Sequence, residues 1–346
     1  MLLFLSFFTA AAGLSNDPLT FSILRFIAGV GIGGVQPNIT AQMTEYAPKR
    51  IRSFMTTVMF SGYAVGGIIA AVIGKQFIVQ FGWQIVFYAA AAPMVLIPFI
   101  FKYMPESISF ILKKQQNDLA KDTLNCIDPA LKLQKNIDYN FAFNTQTKDS
   151  TIPITQLFKN GRAASTMMFW IAFFTGLFMI YALSTWLTKL MAMSGYSLGS
   201  AISFVIALNT GAVIGCVVGG WLADKFHIKW VLVGMYGLGS IFLYMMTLNL
   251  PITLLYLLIV AVGACTTGAQ IVAYAYCGQF YAADIRTTGV GMATGIGRLG
   301  SILAPLIIGL IVTLNLPLAQ NFMVIASAGL IGAIALSFIN HNKAAV

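Results

Sequence analysis

One stretch constrains the fold more than any other, because the chain contains it twice. LRFIAGVGIGGVQPNITAQMTEYAPKRIRSFMTTVMFSGYAVGGIIAAVIGK, from Leu24 to Lys75, aligns without a gap on LIVAVGACTTGAQIVAYAYCGQFYAADIRTTGVGMATGIGRLGSILAPLIIG, displaced by 234 positions. Gly29 falls on Gly263, Gly34 on Gly268, Gln36 on Gln270, Arg52 on Arg286 and Gly66 on Gly300. Each copy is a glycine-rich apolar run, a short basic turn and a second glycine-rich apolar run. A constant offset over this length marks an internally repeated architecture with two similar halves.

The solvent of those halves follows from composition. The chain is 58% hydrophobic and 9% charged, with mean hydropathy +0.84, against about 25% charged residues in ordinary soluble domains. Apolar runs of about twenty residues, each able to cross roughly 30 Å of hydrocarbon, predict spans at 19–46, 54–79, 84–103, 164–190, 198–223, 229–248, 251–277, 288–313 and 317–339. Backbone polar groups in lipid must be satisfied internally, so these are expected to be α-helices. Residues 1–14 are apolar but short. They lack the basic start of a signal peptide and read better as the tail of a further helix, ending at the Ser15–Pro18 turn.

Charge orients the chain. Of its 20 Lys and Arg residues, 16 fall in alternate loops: Lys49, Arg50 and Arg52; nine from Lys102 to Arg162; Lys225 and Lys229; Arg286; Lys343. The opposite loops contain none, so the basic side is expected to be cytoplasmic, with the C-terminus on it. The net charge of +10 is thus spent on loops between spans, and nucleic acid is not an expected partner. Residues 105–160 hold six of the ten acidic residues and seven lysines; a cytoplasmic linker is expected there, with a small regulatory domain the alternative. The chain therefore divides into an N-terminal bundle at 1–104 with about four helices, the linker at 105–160, and a six-helix bundle at 161–346. Two spans and the loop GGWLADKFHIK precede the second copy without counterparts before the first, so the repeat predicts two further helices, at least about 70 residues, upstream of Met1.

The charges inside spans are few, and each costs about 2.5–3.5 kcal/mol at a helix centre on insertion scales. Arg298 lies about three turns into its span; a guanidinium there can grip a carboxylate through two parallel hydrogen bonds, or be capped by backbone carbonyls. Arg25 either binds an anion or snorkels outward. Asp224, in Gly-Trp-Leu-Ala-Asp-Lys, either pairs with a basic group or a helix N-terminus across the half or belongs to a plain polar loop. Glu45, Arg52, Asp284 and Arg286 are expected to form ion pairs at a cytoplasmic gate. Tyr181, with Trp170, Phe173, Phe174, Phe178 and Trp186 on the same helix, and Tyr274, with Tyr276, either pack as core and lipid-facing side chains or stack on an aromatic ligand. His227 reads as a solvated loop residue, with a proton relay the alternative. No acid lies mid-span, so any proton-coupling carboxylate is Glu45 or sits upstream. Cys126, Cys216, Cys265 and Cys277 show no ligand spacing, no metal or other cofactor is expected, and no nucleophile–base constellation suggests an enzyme.

RFIAGVGIGG, EYAPKRIRS, the Pro-Glu-Ser opening of the linker and GGWLADKF together resemble the major facilitator superfamily. With YAADIRTTGVGMATGIGRLGSILAP included, the chain is most similar to its aromatic acid:proton symporters, carriers of 4-hydroxybenzoate, protocatechuate, benzoate or vanillate. The resemblance covers essentially the whole chain and implies an all-α membrane fold of two pseudo-symmetric six-helix bundles, here without the first two helices. It implicates Arg25, Glu45, His227, Arg286 and Arg298 in transport. The family's first-helix acidic motif and the loop between its second and third helices have no counterpart in this sequence. The expectation is a monomeric carrier of the bacterial inner membrane that imports an aromatic carboxylate with protons. Arg298 would hold the carboxylate and aromatic side chains would sandwich the ring, with Arg25, Tyr181 and Tyr274 as the further substrate-binding residues. The alternatives are a carrier of sugars, other organic anions or drugs, or a non-transporting sensor or inert fragment.

Overall fold

The computed structural model describes residues 2–103, 153–159, 161–248, 250–282, 285–314 and 316–344, and all regular structure within them is helical. Helix α1 (Leu2–Ala12) stops at the Ser15–Pro18 turn, where the Asp17 carboxylate accepts from the Thr20 amide at 2.7 Å and so caps α2 (Pro18–Tyr46). Helix α3 (Arg52–Phe81) ends at Gly82, whose φ of 77° suits a residue without Cβ. The stretch expected as one span over 84–103 is divided into α4 (Gln84–Ala89), a 3₁₀ segment (Ala92–Leu96) and α5 (Ile97–Tyr103). Pro93 lies at the break: its ring lacks the N–H a continuous helix needs and disfavours α geometry in the residue before it.

The remaining helices are α6 (Ala163–Met193), α7 (Leu198–Lys225), α8 (Ile228–Met245), α9 (Ile252–Gly263), α10 (Ala269–Phe280), α11 (Arg286–Thr313) and α12 (Leu318–Ser337). A π segment, Ala264–Gly268, joins α9 to α10 inside one span. Among the described residues seven helices are long and apolar enough to cross a membrane, and α1, the first part of α2 and the broken 84–99 stretch are shorter apolar pieces. The predicted helix positions hold to within a few residues, apart from the break at Pro93. The linker expected at 105–160 falls almost entirely outside the described residues.

Packing separates two layers. Helix α6 lies along α11 and α12, α8 along α12, and α7 along α9 and the π segment, while α1 packs on α2 and α3 on α4. The layers meet chiefly through α3 on α7, with α10 and α11 touching α2 and α10 touching α3. Aromatic side chains fill the core of the second layer, where Phe169, Tyr276, Phe280 and Tyr281 interlock with ring centroids 5.1 to 6.4 Å apart. Outward faces carry exposed Leu238, Ile241, Leu306 and Leu310, as expected where the surrounding solvent is hydrocarbon.

Candidate functional site

Three helices converge on Arg298. It stands twelve residues into α11, about 18 Å from that helix's basic end, and its Nη1 donates to the Tyr181 hydroxyl of α6 at 2.7 Å. The guanidinium carbon also lies 6.0 Å from the Tyr181 ring centroid. Tyr63 of α3 comes from the opposite layer and is within electrostatic reach of both Arg298 and Tyr181. It remains 59% exposed despite lying mid-helix. Tyr274 of α10 completes the group: its ring stacks on Phe60 of α3 at 5.5 Å and 19°, and Phe173 of α6 meets it edge-on at 5.0 Å. The structure thus brings together Arg298, Tyr181 and Tyr274 of the residues picked out from sequence. A guanidinium carries five N–H donors, so a side chain in this position can take a carboxylate while the aromatic side chains flank a ring.

At the basic end, the Asp224 carboxylate reaches from the last turn of α7 to the first turn of α3. Its Oδ2 accepts from the Phe54 amide at 2.8 Å and its Oδ1 from the Ser53 amide at 3.2 Å. The sequence reading allowed either a basic group or a helix N-terminus as partner; the geometry is the helix N-terminus. Gly220, one turn earlier, permits the approach, because a Cβ there would stand 3.1 Å from the Thr57 Cβ and 3.2 Å from the Phe54 Cα. Beside it, the Gln279 amide of α10 donates to the Ser53 hydroxyl at 2.8 Å. At the other end of the same helix pair, Lys75 donates to Ser203 at 2.8 Å.

The other sequence-derived residues are dispersed. Arg25 is exposed, its guanidinium 5.7 Å from the Phe87 ring centroid, a cation–π contact within the first layer. Arg286 opens α11, and its Nε donates to the Tyr281 carbonyl at 3.4 Å. Asp284 and the side chains of Glu45 and Arg52 lie outside the described residues. His227 is exposed at the start of α8, as read from sequence, and its ring sits 6.2 Å from that of His341 in the tail. His341 also meets the Tyr276 hydroxyl at 3.3 Å. Burial, then the neighbouring His227 and Lys229, hold the His341 pKa below its ordinary value.

Sequence reasoning missed Tyr63 and Phe60. A Tyr or Phe in an apolar span gives no local signal, but the repeat does: stepping back 234 positions from Arg298 lands on Ala64, beside Tyr63. It also missed a buried pair inside the second layer. The Tyr236 hydroxyl lies 3.1 Å from the Ala172 carbonyl and 2.9 Å from Gln270 Oε1, both partners buried. Gln270 is the repeat counterpart of Gln36. Among the described residues no His, Cys, Asp or Glu cluster could hold a metal ion.

The family model of the Major Facilitator Superfamily matches residues 1–248 and 210–345. The benzoate transport protein of Acinetobacter baylyi is 40% identical over 336 residues, covering 97% of this chain and 72% of that protein. The gentisate transporter of Corynebacterium glutamicum is 33% identical over 341 residues, covering 97% of this chain and 70% of its own length. Among solved structures, the proton:xylose symporter XylE superposes with a TM-score of 0.69 over 98% of this chain and 79% of its own, at 15% identity, which speaks to the fold alone. Helix order, packing and family match agree: the chain belongs to the major facilitator superfamily, a family of membrane carriers.

Proposed function

We propose that the chain serves as a secondary carrier that imports an aromatic carboxylate, together with protons, by alternating access. The observation that carries this reading is the Arg298–Tyr181 pair, with Tyr63, Phe60 and Tyr274 around it, at the meeting of the two layers. A cation deep in a span is costly unless it has work to do. Here it is flanked by rings that suit an aromatic acid. The names of the relatives support the substrate class; they differ on ring hydroxylation, since gentisate carries hydroxyls and benzoate does not. The positive-inside asymmetry supports an inner-membrane placement with the basic face and C-terminus cytoplasmic. In this reading 1–104 and 161–346 are the two rocking bundles, 105–160 links them, and the carrier works as a monomer in lipid.

Asp224 on the α3 amides and Gln279 on Ser53 then hold the cytoplasmic end shut while substrate reaches Arg298 from the opposite face. Glu45 is the proposed coupling acid within this chain, with Arg52, Asp284, Arg286 and His227 in the cytoplasmic gate and Arg25 an accessory cation. The test is uptake of radiolabelled benzoate and 4-hydroxybenzoate by cells expressing the chain, with and without an imposed pH gradient. Accumulation should follow the gradient and disappear in Arg298→Ala at unchanged membrane abundance. Undiminished uptake in that variant would remove Arg298 from the binding role.

A further inference from the structure

A cavity of about 430 Å³ opens at the basic face, between the first turn of α8 and the chain that follows α12. That volume falls within the roughly 300–1,000 Å³ of small-ligand sites. Its titratable lining is basic throughout. His227 and Lys229 stand at the start of α8, His341 comes from the tail, and among the described residues no Asp or Glu lines it. The two imidazoles lie 6.2 Å apart between ring centroids, and the Tyr276 hydroxyl, 3.3 Å from His341 Nδ1, holds that ring in place. Asp224, the acid just before them in sequence, spends both carboxylate oxygens on α3 amides. We infer that this cavity is a phosphate site that takes the anionic headgroup of a membrane lipid, with His227, Lys229 and His341 as its donors.

Charge and surroundings choose the occupant. Groups of one sign gathered around a cavity disfavour their own charged forms, and this is felt at His341: after burial, His227 and Lys229 hold its pKa below the ordinary value. An anion removes that conflict. Ammonium and imidazole N–H groups make their strongest hydrogen bonds to anionic oxygens, and a phosphate presents several such oxygens to donors arriving from separate directions. The bilayer is the source because the rim suits one. Trp230 and Phe338, which line the same cavity, are 60% and 70% exposed at the ends of their spans, where interfacial rings sit among headgroups. Lys229 Nζ lies 5.0 Å from the Trp230 ring centroid and Lys225 Nζ 4.9 Å from that of Trp221, so ammonium groups stand at the level of those rings. Basic pockets between spans on the cytoplasmic side hold anionic lipid headgroups. Because His341 forms one wall, a bound headgroup ties the tail to α8, adding to the Asn340 amide on Ser165 and Lys343 on the Gly161 carbonyl. None of this depends on the carrier's cargo.

The experiment follows labelling of Ala344→Cys by N-ethylmaleimide in the purified full chain, in detergent, with the native cysteines replaced by alanine. Ala344 is partly buried against the core, so its labelling reports release of the tail. Dioctanoyl phosphatidylglycerol, dioctanoyl phosphatidylcholine and inorganic phosphate are titrated in turn. A ligand that binds only the docked tail divides the released population by one plus its concentration over Kd. Phosphatidylglycerol at ten times its Kd should therefore slow labelling about tenfold, while phosphatidylcholine leaves the rate unchanged. Lys229→Gln should remove most of the slowing, and Lys225→Gln, on the same face but outside the cavity, should keep it. Equal slowing by phosphatidylcholine overturns the inference, because headgroup charge would not be read. Equal loss in Lys225→Gln, or none in Lys229→Gln, also overturns it, since diffuse charge and not the cavity would be acting. Inorganic phosphate slowing labelling as well as phosphatidylglycerol rejects the lipid as the source, and no slowing by any probe rejects the site. The comparison of the two lipids on the unsubstituted cavity decides even where a variant misfolds. Uptake plays no part in the readout, so failure here leaves the carrier reading standing.

Discussion

Replacing Asp224 should open the basic end of the α3–α7 contact by a calculable amount. Its carboxylate accepts from two backbone amides at 2.8 and 3.2 Å. Hydrogen bonds to a charged group contribute about 1.5–3 kcal/mol net of the water they replace, and a carboxylate at a helix N-terminus adds about 0.3–1 kcal/mol. The longer bond and the half-buried setting argue for the lower ends of both ranges. Asp224→Ala then forfeits about 3 kcal/mol of closure, and Asp224→Asn, which keeps one carbonyl oxygen but turns an amino group on the other N–H, about 1.5–2 kcal/mol. At 1.4 kcal/mol per tenfold, the open population rises about a hundredfold and ten- to thirtyfold respectively.

The readout is thiol labelling at Thr57→Cys in a background with the native cysteines replaced by alanine. Thr57 is fully buried, directly beneath Gly220. An impermeant maleimide applied to inside-out vesicles should label it at rates rising in the order wild type, Asp224→Asn, Asp224→Ala, while the variants stay monodisperse in detergent. Wild-type rates in both variants would mean that water satisfies the α3 amides at no cost to closure, and the latch argument would be refuted.

Two further outcomes test other parts of the structure. The tail containing His341 docks on the basic face through the Tyr276 hydroxyl, with Asn340 donating to Ser165 at 3.2 Å and Lys343 to the Gly161 carbonyl at 2.8 Å. Because the docked imidazole has a lowered pKa, docking is complete above the ordinary value of about 6.5 and is lost as pH falls through the depressed one. Labelling of Ala344→Cys, relative to the same cysteine in His341→Gln at each pH, should rise between pH 7.5 and 5.5; a flat ratio rejects it. In the second layer, Tyr236→Phe should cost about 1–3 kcal/mol by leaving Gln270 and the Ala172 carbonyl unpaired. Tyr236→Phe with Gln270→Leu should cost less than the two single changes added, read as thermal unfolding in detergent; strict additivity would show that the two side chains do not act as a pair.

Much of the fold was legible because lipid imposes strong rules: apolar length, loop charge and a repeat offset locate helices without any knowledge of packing. Arg298 was legible for the same reason, since a cation in an apolar run stands out, and Asp224 because its motif closes a span. What stayed hidden depends on contacts between distant segments. Tyr63 and Phe60 look like any span residue until α3 lies against α7 and α10. The break at Pro93 and the π segment at Ala264–Gly268 come from how backbones accommodate a ring or a close neighbour: Gly268 presses on the Gly215 backbone, its would-be Cβ 2.8 Å from that Cα. The pairing of His227 with His341 joins residues far apart in the chain, which no spacing rule reaches.

The start of α3 shows how a local weakness in sequence becomes a property of the whole. Helix N-termini leave four amides unsatisfied and are usually capped by a nearby Ser, Thr, Asp or Asn. Here the N-cap is Ile51, which offers no side-chain oxygen, and no acid stands in the first turn. Arg50 adds positive charge where the helix dipole disfavours it. Taken alone, α3 begins badly. Its missing acceptor is supplied by Asp224 from the other layer, so completing the helix and closing the basic end are one event. A local Ser or Asp cap at Ile51 would satisfy the same amides in every conformation and leave closure without that favourable energy. Ile51→Asp should therefore stabilise α3 yet raise Thr57→Cys labelling, a combination that a purely structural role for Asp224 does not produce.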